Sequence, residues 1–173
     1  MPTNPPPKPD VSEEMSERRI AEFALEESRL SNVAYRFRLS PRDRVWKAMT
    51  DPKLVAQWWG RGNKLVIEKF ELERGGHWRF VEHGPEGVHG FEGRFREVTP
   101  PERIVQTFEW DGMPGHVIIE TGILEDLGDG RTRFVNVSLF HTSDERDGML
   151  QSGMEGGLNE SYAALDKLLA ELG

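Results

Sequence analysis

The chain has 173 residues, a formal net charge of -8 and no cysteine. That length buries a sizeable core without staples, so one domain with an appendage is the expected organisation. The acidic balance disfavours nonspecific attraction to nucleic acid or anionic lipid, and disulfides are excluded. No apolar run approaches the roughly 18 residues that span a membrane, and the first residues carry no run of signal-peptide type. A cytoplasmic protein is expected, with small molecules or proteins as partners and neither nucleic acid nor a membrane span.

In chain order, residues 1–10 are rich in proline and predict an extended, mobile tail. Residues 12–30 set Met15, Ile20, Phe23, Leu25 and Leu30 among Glu and Arg, which predicts a marginal helix outside the main fold. The expected division is therefore a tail over 1–30 and a folded domain over 31–173. Strict alternation over 33–39 puts Val33, Tyr35, Phe37 and Leu39 on one face of a first strand. Ser40-Pro41 then opens a short helix with Val45, Trp46 and Met49 on its buried side, and Asp51-Pro52 breaks it and starts a second through Trp58, Trp59 and Gly60.

From Lys64 the hydrophobic period changes to two. Strands are expected over 65–72, 77–82, 88–98, 104–110, 117–124 and 131–140, joined by tight turns such as Arg74-Gly75-Gly76 and Asp126-Leu127-Gly128-Asp129-Gly130. Consecutive strands with short links imply an antiparallel meander. Finally, residues 142–172 predict one long helix. Thr142 and Glu145 fit a capping box, and Leu150, Met154, Leu158, Tyr162, Leu165, Leu169 and Leu172 form one stripe. Gly153, Gly156 and Gly157 interrupt it, each costing roughly 1 kcal/mol against alanine. Either they let a strand approach closely, or the missing side chains leave a void where a small molecule lies.

Several chemistries find no pattern. His77, His83, His89, His116 and His141 have no metal-ligand spacing and read as turn and strand-edge residues. There is no Gly-x-Ser-x-Gly elbow, since Gln151-Ser152-Gly153 lies in a predicted helix, and no phosphate-binding glycine loop. No catalytic residue, metal or cofactor is assigned. What stands out is aromatic density: Trp58, Trp59, Trp78, Phe80, Phe91, Phe95, Phe108 and Trp110 fall on the second helix and the middle strands. Most such rings would be core in any protein of this size, yet facing a glycine-bearing helix they also form the wall of an apolar pocket. The expected ligand-binding set is these eight with Met154, Gly157 and Leu158. Polar groups available to orient a ligand are Glu82, Glu92 or Gln106, and Asn136 with Ser138, the choice depending on strand register.

Four stretches fall in an order that resembles the START-like or SRPBCC superfamily, in the branch named for the C-terminal domain of the activator of the heat-shock protein 90 ATPase. They are Val45-Trp46-Lys47-Ala48-Met49-Thr50-Asp51-Pro52 with Trp58-Trp59-Gly60, then Gly75-Gly76-His77-Trp78, then Val98-Thr99-Pro100-Pro101-Glu102-Arg103-Ile104-Val105, then Arg146-Asp147-Gly148-Met149 with Ser152-Gly153-Met154-Glu155. The resemblance covers 31–173 and implies an α+β helix-grip fold: a curved antiparallel sheet of about seven strands around a long C-terminal helix, with two short helices after the first strand. It also implies a deep cavity between sheet and helix and, for many members, a hydrophobic small molecule.

Three functions follow. The first is a non-catalytic binding or carrier protein for a small hydrophobic or aromatic molecule. The second is a cyclase- or hydrolase-type enzyme in the same cavity, marked by a buried group with a shifted pKa. The third is a module that binds a chaperone protein. A cavity above about 300 Å³ favours the first two, and a filled core the third.

Overall fold

The computed structural model describes the backbone of residues 22–26, 29–33 and 36–37 and the whole of residues 40–173. The strands are β1 (Glu22–Glu26), β2 (Arg29–Val33), β3 (Arg36–Phe37), β4 (Lys64–Phe70), β5 (His77–Gly84), β6 (Gly87–Thr99), β7 (Arg103–Trp110), β8 (Ile118–Gly128) and β9 (Arg131–Leu139). The helices are α1 (Arg42–Thr50), α2 (Pro52–Trp58), α3 (Ser143–Gln151) and α4 (Met154–Leu172). The fold is α+β. Six long strands, β4 to β9, pair in sequence order as an antiparallel meander, and the short β1, β2 and β3 extend its β9 edge. Bulges after Ile67 and after Phe95 bend the sheet into a trough.

Three expectations are corrected. The curved sheet has six long strands and not seven: within the strand expected over 33–39, the described residues are Val33, which ends β2, and Arg36–Phe37, which pairs with β9 as the two-residue β3. The helix expected over 12–30 gives way to strands from Glu22 onward. Its earlier part, like the proline-rich tail, lies outside the described residues. A marginal helix has little to bury, whereas the free edge of β9 offers a ladder to Arg29–Val33, on which Glu22–Glu26 pairs in turn.

The single helix expected over 142–172 is two. Gly153 has φ +81°, a left-handed conformation that ends α3 and starts α4 at Met154. Gly156 and Gly157 therefore occupy the first turn of α4, where helix propensity matters less than in the interior, and Gly153 does not share a helical face with Gly157.

The helix ends follow from local chemistry. Asp51 Oδ1 accepts from Lys53 N–H at 2.9 Å and caps α2 with Pro52 at its first position. Thr142 Oγ1 accepts from Glu145 N–H at 3.2 Å, and Glu145 Oε2 accepts from His141 N–H at 3.2 Å, one residue earlier than a capping box places it. The cap of α1 is Pro41 and not Ser40. Ser40 is buried instead, its carbonyl accepting from Thr132 Oγ1 at 2.7 Å and tying the entry of α1 to β9.

The C-terminal half of α4 buries Tyr162, Leu165, Leu168 and Leu169 against α1, Trp58, Leu124 and Phe134. A second cluster of Val55, Leu65, Trp78, Phe80 and Phe95 fills the other end of the trough. A third, smaller cluster of Ile118 and Phe140 packs against Phe108, Met149, Leu150 and Met154, where α3 and the start of α4 meet the strands.

Candidate functional site

The concave face is set by strand parity. Trp78, Phe80 and Glu82 alternate inward on β5, Phe91 and Phe95 on β6, Gln106, Phe108 and Trp110 on β7, Ile118, Glu120 and Gly122 on β8, and Phe134 and Asn136 on β9. All of them line one cavity of about 800 Å³ beneath α2, α3 and the first half of α4. The rings form a continuous network: Trp59 meets Phe80 and Phe91 edge-on at 5.3 and 5.0 Å, and Phe108 lies 5.6 Å from Phe91 and 6.0 Å from Trp78. Gly93 is required first by the β7 backbone, where a Cβ would collide with the Thr107 carbonyl, and it also leaves room for the Trp78 indole, whose nitrogen would stand 2.7 Å away.

Every one of the eleven residues singled out in the sequence lies on this wall: Trp58, Trp59, Trp78, Phe80, Phe91, Phe95, Phe108, Trp110, Met154, Gly157 and Leu158. Of the polar candidates, Glu82, Gln106 and Asn136 face the cavity. Glu92 faces the opposite side of the sheet, where His77 Nε2 lies 2.8 Å from its Oε2, and Ser138 is buried beside Glu120 in register without joining the wall. Trp46, expected to be purely structural, also reaches the cavity while packing on the helical cluster.

The polar groups sit in three places. At one end, Glu82 is buried, and its Oε1 accepts from Arg61 Nη2 at 2.9 Å and Asn63 Nδ2 at 2.5 Å. Arg61 holds a left-handed backbone (φ 55°), and its guanidinium crosses Gly157 to reach that carboxylate. At the mouth, Glu145 of α3 bonds His116 Nδ1 at 2.9 Å, joining the helix to the β7–β8 loop. Desolvation acts to raise the Glu145 carboxyl, but the hydrogen bonds from His116 and His141 outweigh it and hold it below the usual carboxylate range. On the floor, Glu120 Oε2 accepts from Gln106 Nε2 at 3.2 Å. Burial pushes the Glu120 carboxyl up, with the Gln106 hydrogen bond opposing it. Burial, aided by the charge of Glu120, likewise raises the Tyr162 phenol above its ordinary range.

Glu120, Tyr162 and Arg61 were missed as site residues. An acid between Ile118 and Gly122 on the inward parity is the signal for Glu120, and it becomes readable only once register is known. Among the described residues no group of three or more His, Cys, Asp or Glu side chains is placed to hold a metal. Nor is any helix among them long and apolar enough to cross a membrane.

Solved structures share this architecture. A crystal structure of a Rhodobacter sphaeroides protein is 28% identical, with a TM-score of 0.78 over 88% of this chain and 99% of its own. A solution structure of an Arthrobacter aurescens protein is 25% identical, again at 0.78, over 88% and 93%. A Mycobacterium smegmatis protein at 19% identity and a TM-score of 0.76 covers 86% and 94%, and shows the fold alone. No curated protein gives a match. Residues 39–170, most of the chain and all of the cavity's helices and long strands up to the last turn of α4, match the family described as Activator of Hsp90 ATPase homolog 1-like protein, and the chain belongs to that family.

Proposed function

We propose that this chain is a non-catalytic binding or carrier protein for a small hydrophobic or aromatic molecule. The observation that carries the reading is the cavity itself, about 800 Å³ of space walled by aromatic rings between the sheet and α4. Drug-sized ligand sites run from about 300 to 1,000 Å³ and have this mixture of apolar wall and few polar groups. A chain that needed only a stable core would fill such a space, because interiors pack densely and voids cost stability. The eleven wall residues named from the sequence are the proposed contacts, 31–173 is the proposed binding unit, and a cytoplasmic location suits a carrier without cysteine.

Two other readings have an observation each. The raised carboxyl of Glu120 is what a cyclase- or hydrolase-type general acid needs. The family's description and the exposed pair Ile119 and Leu139, opposite each other on the convex face, suit a chaperone-binding module. Native mass spectrometry of protein purified gently from its host tests the carrier reading directly. A small molecule travelling with the chain, and displaced by the neutral dye Nile red, is the expected result. No retained molecule together with no Nile red binding overturns it and puts the interaction module ahead.

A further inference from the structure

The charges on the cavity wall do not balance. Glu82, Glu120, Asp144 and Glu145 face the single guanidinium of Arg61, with His89 and His116 the other titratable nitrogens. Glu82 already holds Arg61, and Glu145 holds His116. Glu120 differs. Among the described residues no Lys, Arg or His nitrogen pairs with it, and its neighbours are the Gln106 amide, the Tyr162 ring and, two residues along β7 on the same face, Phe108.

Glu120 is half-buried, with its open part facing the cavity; a carboxyl so placed without a cation is costlier in its charged form than one in water, and that cost falls when an opposite charge arrives inside the same space. The surrounding rings present negative faces that attract cations and repel anions. The acidic mouth formed by Asp144 and Glu145, on a chain of net charge -8, biases approach in the same sense.

We propose that the cavity selects a ring-bearing apolar molecule that carries a protonated amine, with the ammonium set against Glu120 beside Gln106 and the rings against Phe108 and Phe91. This rests on the cavity being a binding site. It adds the charge class of the ligand, and it places carboxylate-bearing lipids and aromatic acids among the disfavoured ligands. The arriving ammonium then favours the Glu120 carboxylate over its protonated form.

The test uses three probes on one skeleton, 2-(1-naphthyl)ethylamine, 2-(1-naphthyl)ethanol and 1-naphthylacetic acid, each displacing Nile red from the full chain. The expected order is amine, alcohol, acid, with the amine about tenfold tighter than the alcohol, and Glu120→Gln removing that preference. An acid that binds as tightly as the amine, or an amine preference that Glu120→Gln leaves intact, overturns the assignment. If Nile red binds but the amine has no advantage, the charge class fails and the carrier reading stands. If Nile red and all three probes fail to bind, both fall.

Discussion

The Arg61 side chain occupies the space that a side chain at Gly157 would need: a Cβ on Gly157 would stand 3.0 Å from Arg61 Nη1 and 3.2 Å from its Cδ. The glycine in α4 is thus read by the loop after α2, and through Arg61 by the buried Glu82. A methyl group can be met by a small shift of a flexible arginine, whereas a larger side chain has to push it off its carboxylate. Gly157→Ala is expected to change stability by less than about 1 kcal/mol, helix propensity offsetting the shift. Gly157→Leu is expected to destabilise by about 1–3 kcal/mol in a urea melt, because it leaves Glu82 buried without its cation. Arg61→Ala should cost a similar amount, discounted because the arginine is 38% exposed. A stable Gly157→Leu variant would show that the ion pair contributes little.

How much of this was legible in the sequence depends on the period of each segment. The alternation from Lys64 to Leu139 places the six long strands within a few residues of their observed ends, and the aromatic positions follow because i, i+2 spacing survives any choice of face. What parity alone leaves open is which alternate set points inward. Gln106 and Glu92 were equal candidates, and only the pairing of Phe95 with Gln106 and of Gln106 with Glu120 separates them. The bulges after Ile67 and Phe95 flip the parity midway along β4 and β6, and nothing local in either stretch announces them. The helix error at 22–30 has the opposite origin: the local composition suits a helix, but an unpaired sheet edge overrides weak propensity. In α3 and α4 the stripe holds from Leu150 to Leu169, but Leu172 is exposed and Leu168 joins the core in its place, while the break went unread because a glycine's backbone angle is not written in its neighbours.

The two tryptophans at the helix pair both reach the cavity wall and differ in how much structure each carries. Trp58 is 5% exposed, packs in the α4 cluster and donates its indole N–H to Ala48 O at 2.9 Å, so it ties α2 to α1. Trp46 is only partly buried, with one side toward the cavity. Trp58→Ala is expected to cost about 3–5 kcal/mol and Trp46→Ala about 2 kcal/mol, with the second also lowering Nile red affinity. Equal losses of stability with unchanged dye binding by Trp46→Ala would return Trp46 to a purely structural role.

The glycines around the helix break differ in sign. Gly153 sits at φ +81°, where an L side chain is strained whatever the space around it, while Gly156 is in the first turn of α4 with nothing within 4 Å of an added Cβ. Gly153→Ala is expected to destabilise by about 1 kcal/mol and Gly156→Ala to stabilise by about 0.5–1 kcal/mol. Thermal melts of the two variants check this. Matching signs would mean that α3 and α4 run on as one helix in solution.

Glu120 gives a stability prediction that does not involve a ligand. Burial raises its carboxyl in the folded chain, so between the unfolded carboxylate pKa of about 4.3 and the folded value the folded state holds more protons than the unfolded one. Stability from this group is therefore fully present below the unfolded pKa and is lost as pH rises through the folded pKa. Carboxylates held low have the opposite slope: the Arg79 guanidinium beside Asp111 depresses that carboxyl, and its contribution is lost as pH falls. Glu120→Gln keeps a partner for Gln106 and cannot ionise, so subtracting the two melting profiles cancels Asp111 and isolates Glu120. The variant should match the parent near pH 4, exceed it increasingly until the folded pKa is passed and hold a constant lead above it, by about 1.4 kcal/mol for each pH unit the carboxyl is raised. Urea melts at half-unit steps measure the difference. A constant offset from pH 4 to 8 would mean that the Glu120 carboxyl titrates as it does in water, which requires the cavity floor to be open to solvent.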